Sequence, residues 1–143
     1  MEYETSVDVA APVESVWKVL TDVERMPEWT ESMTRVERLD DGPFAIGSKA
    51  RVQQPKMQPM VWTVTELEPA RSFTWGAASG GVRLTAGHRL TPGPSTLSGV
   101  LSVRLTGPLA PILTVVFGRR IRRYVRMEAE GLKRRCEARG TPK

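Results

Sequence analysis

Cysteine is almost missing from this chain: Cys136 is the only one in 143 residues. A single thiol excludes an internal disulfide framework and cannot hold zinc alone, so a reducing cytosol is the expected setting. No metal-ligand cluster, nucleotide-binding loop, serine nucleophile elbow or redox pair is present, so neither metal nor cofactor is expected. Long apolar runs are missing too. The longest, Leu109 to Phe117, is about half of what a bilayer-spanning helix requires, so no stable membrane insertion is expected. The start, Met1-Glu2-Tyr3-Glu4, is acidic and passes straight into alternating residues, the wrong pattern for a secretory signal. Internal repeats and low-complexity linkers are also lacking.

What is present suffices for a folded unit. Hydrophobic residues make up 40% of the chain, enough for a real core, and the length suits one domain over residues 1–143. The 21 basic and 16 acidic side chains leave a net charge of +5. That excess permits contact with polyanions, and much of it sits in residues 119–126.

The C-terminal stretch organises the rest. Within Gly107 to Arg139 the spacing predicts one long amphipathic helix begun near Pro108 to Pro111, with Leu113, Phe117, Ile121, Tyr124, Val125, Glu128 and Leu132 on one broad side. Arg119, Arg122, Arg123, Arg126 and Lys133 fall on the other. Upstream, Tyr3, Thr5, Val7 and Val9 alternate as one face of a first strand. Pro12 sets a helix with Val13, Val16, Trp17 and Leu20 on its stripe, and residues 22–29 read as a second short helix around Pro27. Six strands follow, at Thr34–Leu39, Ser48–Gln54, Met60–Leu67, Ser72–Trp75, Val82–Leu90 and Thr96–Leu105, with Gly76 to Gly81 read as a turn. Short connections favour an antiparallel meander, so the expected class is α+β: about seven curved strands wrapped around the long helix, with two short helices after the first strand. The space between sheet and helix is the expected site.

Candidate residues follow from this placement. His88 interrupts the apolar even face of Val82–Leu90; it is either a satisfied core residue or a general base or polar anchor aimed into the cavity. Phe73, Trp75 and Trp62 would stack on a planar ligand or simply fill the interior. Trp29 on the second helix is a further candidate, while Trp17 reads as core. Met26, Met33, Met57 and Met60 cluster where a cavity mouth would be, and methionine suits an adaptable gate. On the long helix, Leu113 and Phe117 are expected at the apolar end near the mouth. Tyr124 is expected deeper, as an orienting or proton-transfer group, with Arg120 towards the rim. Glu128 interrupts the apolar side; it reads as a boundary residue reaching solvent, and if buried it needs a partner or a raised pKa. Arg51, Arg83 and Arg104 alternate with apolar neighbours and point outward.

The segments Val7 to Trp17, Leu20 to Trp29, Val64 to Arg71 and Gly131 to Arg134, in this order and spacing, resemble the START-like or SRPBCC superfamily, specifically its polyketide cyclase/dehydrase-like branch. The resemblance covers nearly the whole chain and implies the helix-grip fold, with a deep apolar cavity under the C-terminal helix. Similar aromatic polyketide cyclases carry a Trp and a Tyr on the short second helix and an Arg on the fourth strand. The corresponding positions here hold Met26, Met33 and Leu67.

The resemblance therefore implies a container more firmly than a reaction. Three readings follow: a carrier or sensor for a small hydrophobic molecule such as a lipid, quinone or polyketide; a cofactor-free cyclase or dehydrase using His88 and Tyr124; or a partner- or anion-binding module using the arginine face. No nucleic-acid partner is expected, because no aromatic residues interleave the arginines. A monomer or homodimer is expected.

Overall fold

The computed structural model describes residues 1–140, with side chains as far as Ala138. The elements run β1 (Glu2–Val9), α1 (Val13–Thr21), a 3₁₀ helix (Val23–Glu28), β2 (Arg35–Arg38), β3 (Lys49–Gln53), β4 (Met60–Glu68), β5 (Ser72–Ser79), β6 (Val82–Pro92), β7 (Leu97–Thr106) and α2 (Ala110–Gly140). The strands form one antiparallel sheet in the order β1-β7-β6-β5-β4-β3-β2. From β2 to β7 this is a meander, and β1 closes against the last strand. The sheet curves around α2, giving the α+β helix-grip architecture.

Period-two patterning decides which face grips the helix. Pairing carries that face across the sheet: Phe73 lies opposite His88, and His88 opposite Leu101. One row over, Val64 meets Trp75, Trp75 meets Ala86, and Ala86 meets Val103. Arg51, Arg83 and Arg104 consequently stand on the outer face, exposed. A bulge between Val64 and Glu66 shifts β4 by one residue beside β5, so alternation on that strand holds only in segments.

One boundary differs substantially from the sequence expectation. β5 continues to Ser79 rather than ending at Trp75, with Gly76, Ala77 and Ala78 paired to Thr85, Leu84 and Arg83. The reversal needs only Gly80 and Gly81, whose φ angles of +49° and +87° supply the left-handed backbone.

The core gathers inward residues of the sheet, both short helices and α2. Val9, Val16, Leu20, Leu101 and Leu132 are all at most 1% exposed. Burying a leucine of this kind stabilises the fold by about 1.5–3 kcal/mol. Gly131 permits the closest approach of α2 to the segment after the 3₁₀ helix, since a Cβ there would collide with the Trp29 carbonyl oxygen. Polar contacts fix the far end of the helix. Lys133 donates to the Asp8 carbonyl at 2.5 Å and to Glu137 at 2.8 Å, and the Ala10 N–H donates to Glu137 at 3.0 Å. The Lys133 hydrogen bond, then the Ala10 N–H, hold the Glu137 carboxyl below its ordinary range.

Candidate functional site

Between the sheet and the middle of α2 lies a cavity of about 60 Å³. Met33, Val52, Met57, Trp62, Trp75, Leu84, Ala86, Leu101 and Val103 form its apolar wall, and α2 closes it with Ile121, Tyr124, Val125 and Glu128. Gln54, His88 and Ser102 are the other polar residues lining it.

The chemistry centres on His88 and Glu128, which are 3% and 8% exposed. His88 Nε2 lies 3.2 Å from Glu128 Oε2, while its Nδ1 lies 3.2 Å from the Phe73 carbonyl oxygen. A carbonyl can only accept, so Nδ1 carries a hydrogen and donates it. A single proton between Nε2 and the carboxyl group would join the two, as imidazolium and carboxylate or as neutral imidazole and carboxylic acid. Either form has no net charge, which suits an apolar interior better than an isolated buried charge. The imidazole also stacks on the Phe73 ring, with centroids 4.1 Å apart and planes 8° from parallel. Hydrogen bond and stacking together fix the ring's orientation.

The wall beside the pair is aromatic. Trp62 and Trp75 rings lie 5.8 Å apart at 40°, and Trp75 meets His88 edge-on at 6.2 Å. Opposite them, the Tyr124 hydroxyl donates to the Pro55 carbonyl at 2.5 Å, and Arg120 donates to the Lys56 carbonyl at 3.2 Å. These bonds hold the loop between β3 and β4 against α2. The Gln53 side-chain amide braces the same loop through the carbonyls of Gln54 at 3.2 Å and Met57 at 2.8 Å. Met57 thereby becomes part of the cavity wall.

Of the residues singled out from the sequence, Met33, Trp62, Trp75, His88, Tyr124 and Glu128 meet around this cavity, together with Met57. Glu128 is largely buried rather than a boundary residue; its partner is the one histidine. Seven others lie off the wall. Met26 and Phe73 are wholly enclosed, Phe73 sitting behind His88. Trp29 packs where Gly131 comes close, and its indole N–H is buried with no protein partner. Met60 packs on the core from the first residue of β4. Leu113 and Phe117 pack on the core ahead of Ile121, where the cavity begins, and Arg120 turns outward onto the β3–β4 loop. The long helix passes the cavity only from Ile121 to Glu128, so its apolar first turns do not form the mouth.

Sequence reasoning missed Val52, Gln54, Leu101, Ser102 and Val103. Val52 was within reach, because it follows Arg51 on a strand that alternates cleanly. Among the described residues no group of three or more His, Cys, Asp or Glu side chains could hold a metal ion. Nor is any described helix long and apolar enough to cross a membrane.

Solved structures with this architecture are numerous. TTHA0849 from Thermus thermophilus superposes with a TM-score of 0.78 at 17% identity, covering 99% of this chain and 100% of the other. The di-domain ARO/CYC StfQ from the steffimycin biosynthetic pathway gives 0.75 at 13% identity, over 96% of this chain and 51% of StfQ. DynU16, a protein in the dynemicin biosynthetic locus, gives 0.72 at 20% identity, over 97% of this chain and 48% of its own. At these identities the likeness establishes the fold alone. No curated protein matches the sequence. Residues 1–137 match the family described as polyketide cyclase / dehydrase and lipid transport, and the chain belongs to that family.

Proposed function

We propose that the chain binds a small, largely hydrophobic molecule bearing a carbonyl or hydroxyl group, as a carrier or sensor, in the cavity between the sheet and α2. The observation that carries this reading is a single buried polar pair, His88 and Glu128, in an otherwise mostly apolar and aromatic wall. Such a wall takes up the body of a ligand by burial, and one polar pair orients it. The cavity of about 60 Å³ is far below the roughly 300–1,000 Å³ typical of ligand pockets. A lipid, quinone or polyketide therefore requires it to widen. The β3–β4 loop is the segment suited to this, since it rests on α2 through Tyr124 and Arg120 and carries the flexible Met57.

A second reading makes the chain a cofactor-free cyclase or dehydrase. The 3.2 Å approach of His88 to Glu128 favours it: the pair can take a proton from a bound chain, gaining one positive charge, and lose that charge when it returns the proton elsewhere on the same chain. Tyr124, whose proton already goes to the Pro55 carbonyl, is then an orienting residue.

Thermal unfolding in the presence of fatty acids, quinones and polyketides tests the first reading. A native-state ligand at a hundred times its Kd adds about 2.7 kcal/mol, a rise of several degrees in Tm. The double variant His88→Leu/Glu128→Leu should lose that shift for ligands bearing a carbonyl or hydroxyl. A panel without any shift, or a shift unchanged in the double variant, would refute the anchor. Turnover of a reactive poly-β-ketone by the wild type, lost in the double variant, would establish the second reading.

A further inference from the structure

The first turns of α2 break the usual rule for a helix on a protein surface. Ile112, Val115 and Val116 are 62%, 86% and 64% exposed, and no other described element covers them. They are not a separate face. At 3.6 residues per turn, the steps from Ile112 through Val115, Val116, Arg119 and Arg122 to Arg123 keep all six on one side of the helix. An aliphatic tip is followed along the same stripe by three arginines, over about 16 Å of helix. Arg119, Arg122 and Arg123 are exposed and make no ion pair among the described residues. Neighbouring Arg120 and Arg126, by contrast, are turned onto the Lys56 carbonyl and the Tyr3 hydroxyl.

We infer that this stripe docks the protein on an anionic phospholipid surface, with Ile112, Val115 and Val116 entering the headgroup–acyl boundary and Arg119, Arg122 and Arg123 meeting lipid phosphates. Aliphatic side chains gain by leaving water only if the partner offers apolar depth, and unpaired guanidiniums gain only if it carries negative charge. An anionic bilayer interface offers both at the spacing of one helix, whereas RNA or an acidic protein surface would leave the aliphatic tip without a partner. The stripe is parallel to the helix axis, so the helix would lie in the interface plane and not cross it. Docking would bring the β3–β4 loop, which Arg120 and Tyr124 tie to the same helix, beside the lipid. The inference does not depend on what the cavity holds.

Co-sedimentation with extruded vesicles tests it directly. The full chain should partition onto vesicles of 70% phosphatidylcholine and 30% phosphatidylglycerol at 0.1 M NaCl and not onto pure phosphatidylcholine. Arg119→Glu/Arg122→Glu/Arg123→Glu should weaken partitioning at least roughly a hundredfold, given about one decade or slightly less per arginine. Ile112→Ser/Val115→Ser/Val116→Ser, with an unchanged Tm, should weaken it by a similar factor and abolish the salt-resistant part. Three outcomes would overturn the inference: no binding to the anionic vesicles; binding that survives the serine substitutions intact, which marks a plain polyanion site; or a dimer in solution that the serine substitutions dissolve, which marks a protein interface.

Discussion

The two parts of α2 invert one another. Its first turns place valine and isoleucine in water, while its middle buries a carboxyl group against a histidine. Both violate the simple pattern of apolar inside and polar outside, and each has its own physical logic. The middle is an interior site, where two titratable groups face an apolar space because each has the other as its partner. The beginning is a surface with no intramolecular partner, whose aliphatic and cationic residues are ordered along one stripe. Departures from patterning of this kind concentrate where function outweighs stability. One helix thus joins a site that faces inward and a surface that faces out.

Substitutions sharpen the contrast, because the same chemical change should have opposite weight in the two parts. The largest effect is expected inside. His88→Leu leaves the Glu128 carboxyl buried without its partner and should cost about 1–3 kcal/mol in urea unfolding. The double variant His88→Leu/Glu128→Leu removes both polar groups together and should recover most of that loss, so the two changes are strongly non-additive. If the single variants add, the pair does not act as a unit. A smaller effect is expected at the latch between helix and loop. Tyr124→Phe removes one hydrogen bond to the Pro55 carbonyl and should lower stability by about 1 kcal/mol, while speeding exchange of the amides in the β3–β4 loop. Unchanged loop exchange would show that the tyrosine does not hold the loop. The smallest belongs to the outer stripe: the serine substitutions at Ile112, Val115 and Val116 should change stability by less than about 0.5 kcal/mol each.

Much of the fold is legible in the sequence because it rests on short-range patterns. The period-two alternation of Val82 to Leu90 is enough to turn His88 inward, and the helical spacing from Ile121 to Leu132 is enough to place Tyr124 and Glu128 on the inner side. What cannot be read are relations set by tertiary pairing. Nothing local joins Glu128 to His88, so by pattern alone the carboxylate reads as a boundary residue. Nothing local joins Tyr124 to Pro55, 69 residues apart, so the tyrosine reads as free to act on a ligand. The position of the cavity along α2 escapes the sequence for a similar reason. Leu113 and Phe117 have the right helical phase, but phase gives the side of a helix and not how far along its axis the sheet encloses a space. Met26 and Phe73 point the right way and lie too deep, Phe73 because the His88 ring covers it.

The scarcity of histidine makes the central claim directly measurable. His88 is the only imidazole, so its ring nitrogens give one unambiguous set of signals in a ¹⁵N-labelled sample. In the free protein Nδ1 should be protonated, as its bond to the Phe73 carbonyl requires. On addition of a hydrophobic ligand that raises Tm, the Nε2 signal should shift as the ligand's polar group enters the bond with Glu128, while the backbone amides of Val115 and Val116 stay in place. A stabilising ligand that leaves the His88 ring signals unmoved would show that the pair is only structural and would contradict this account.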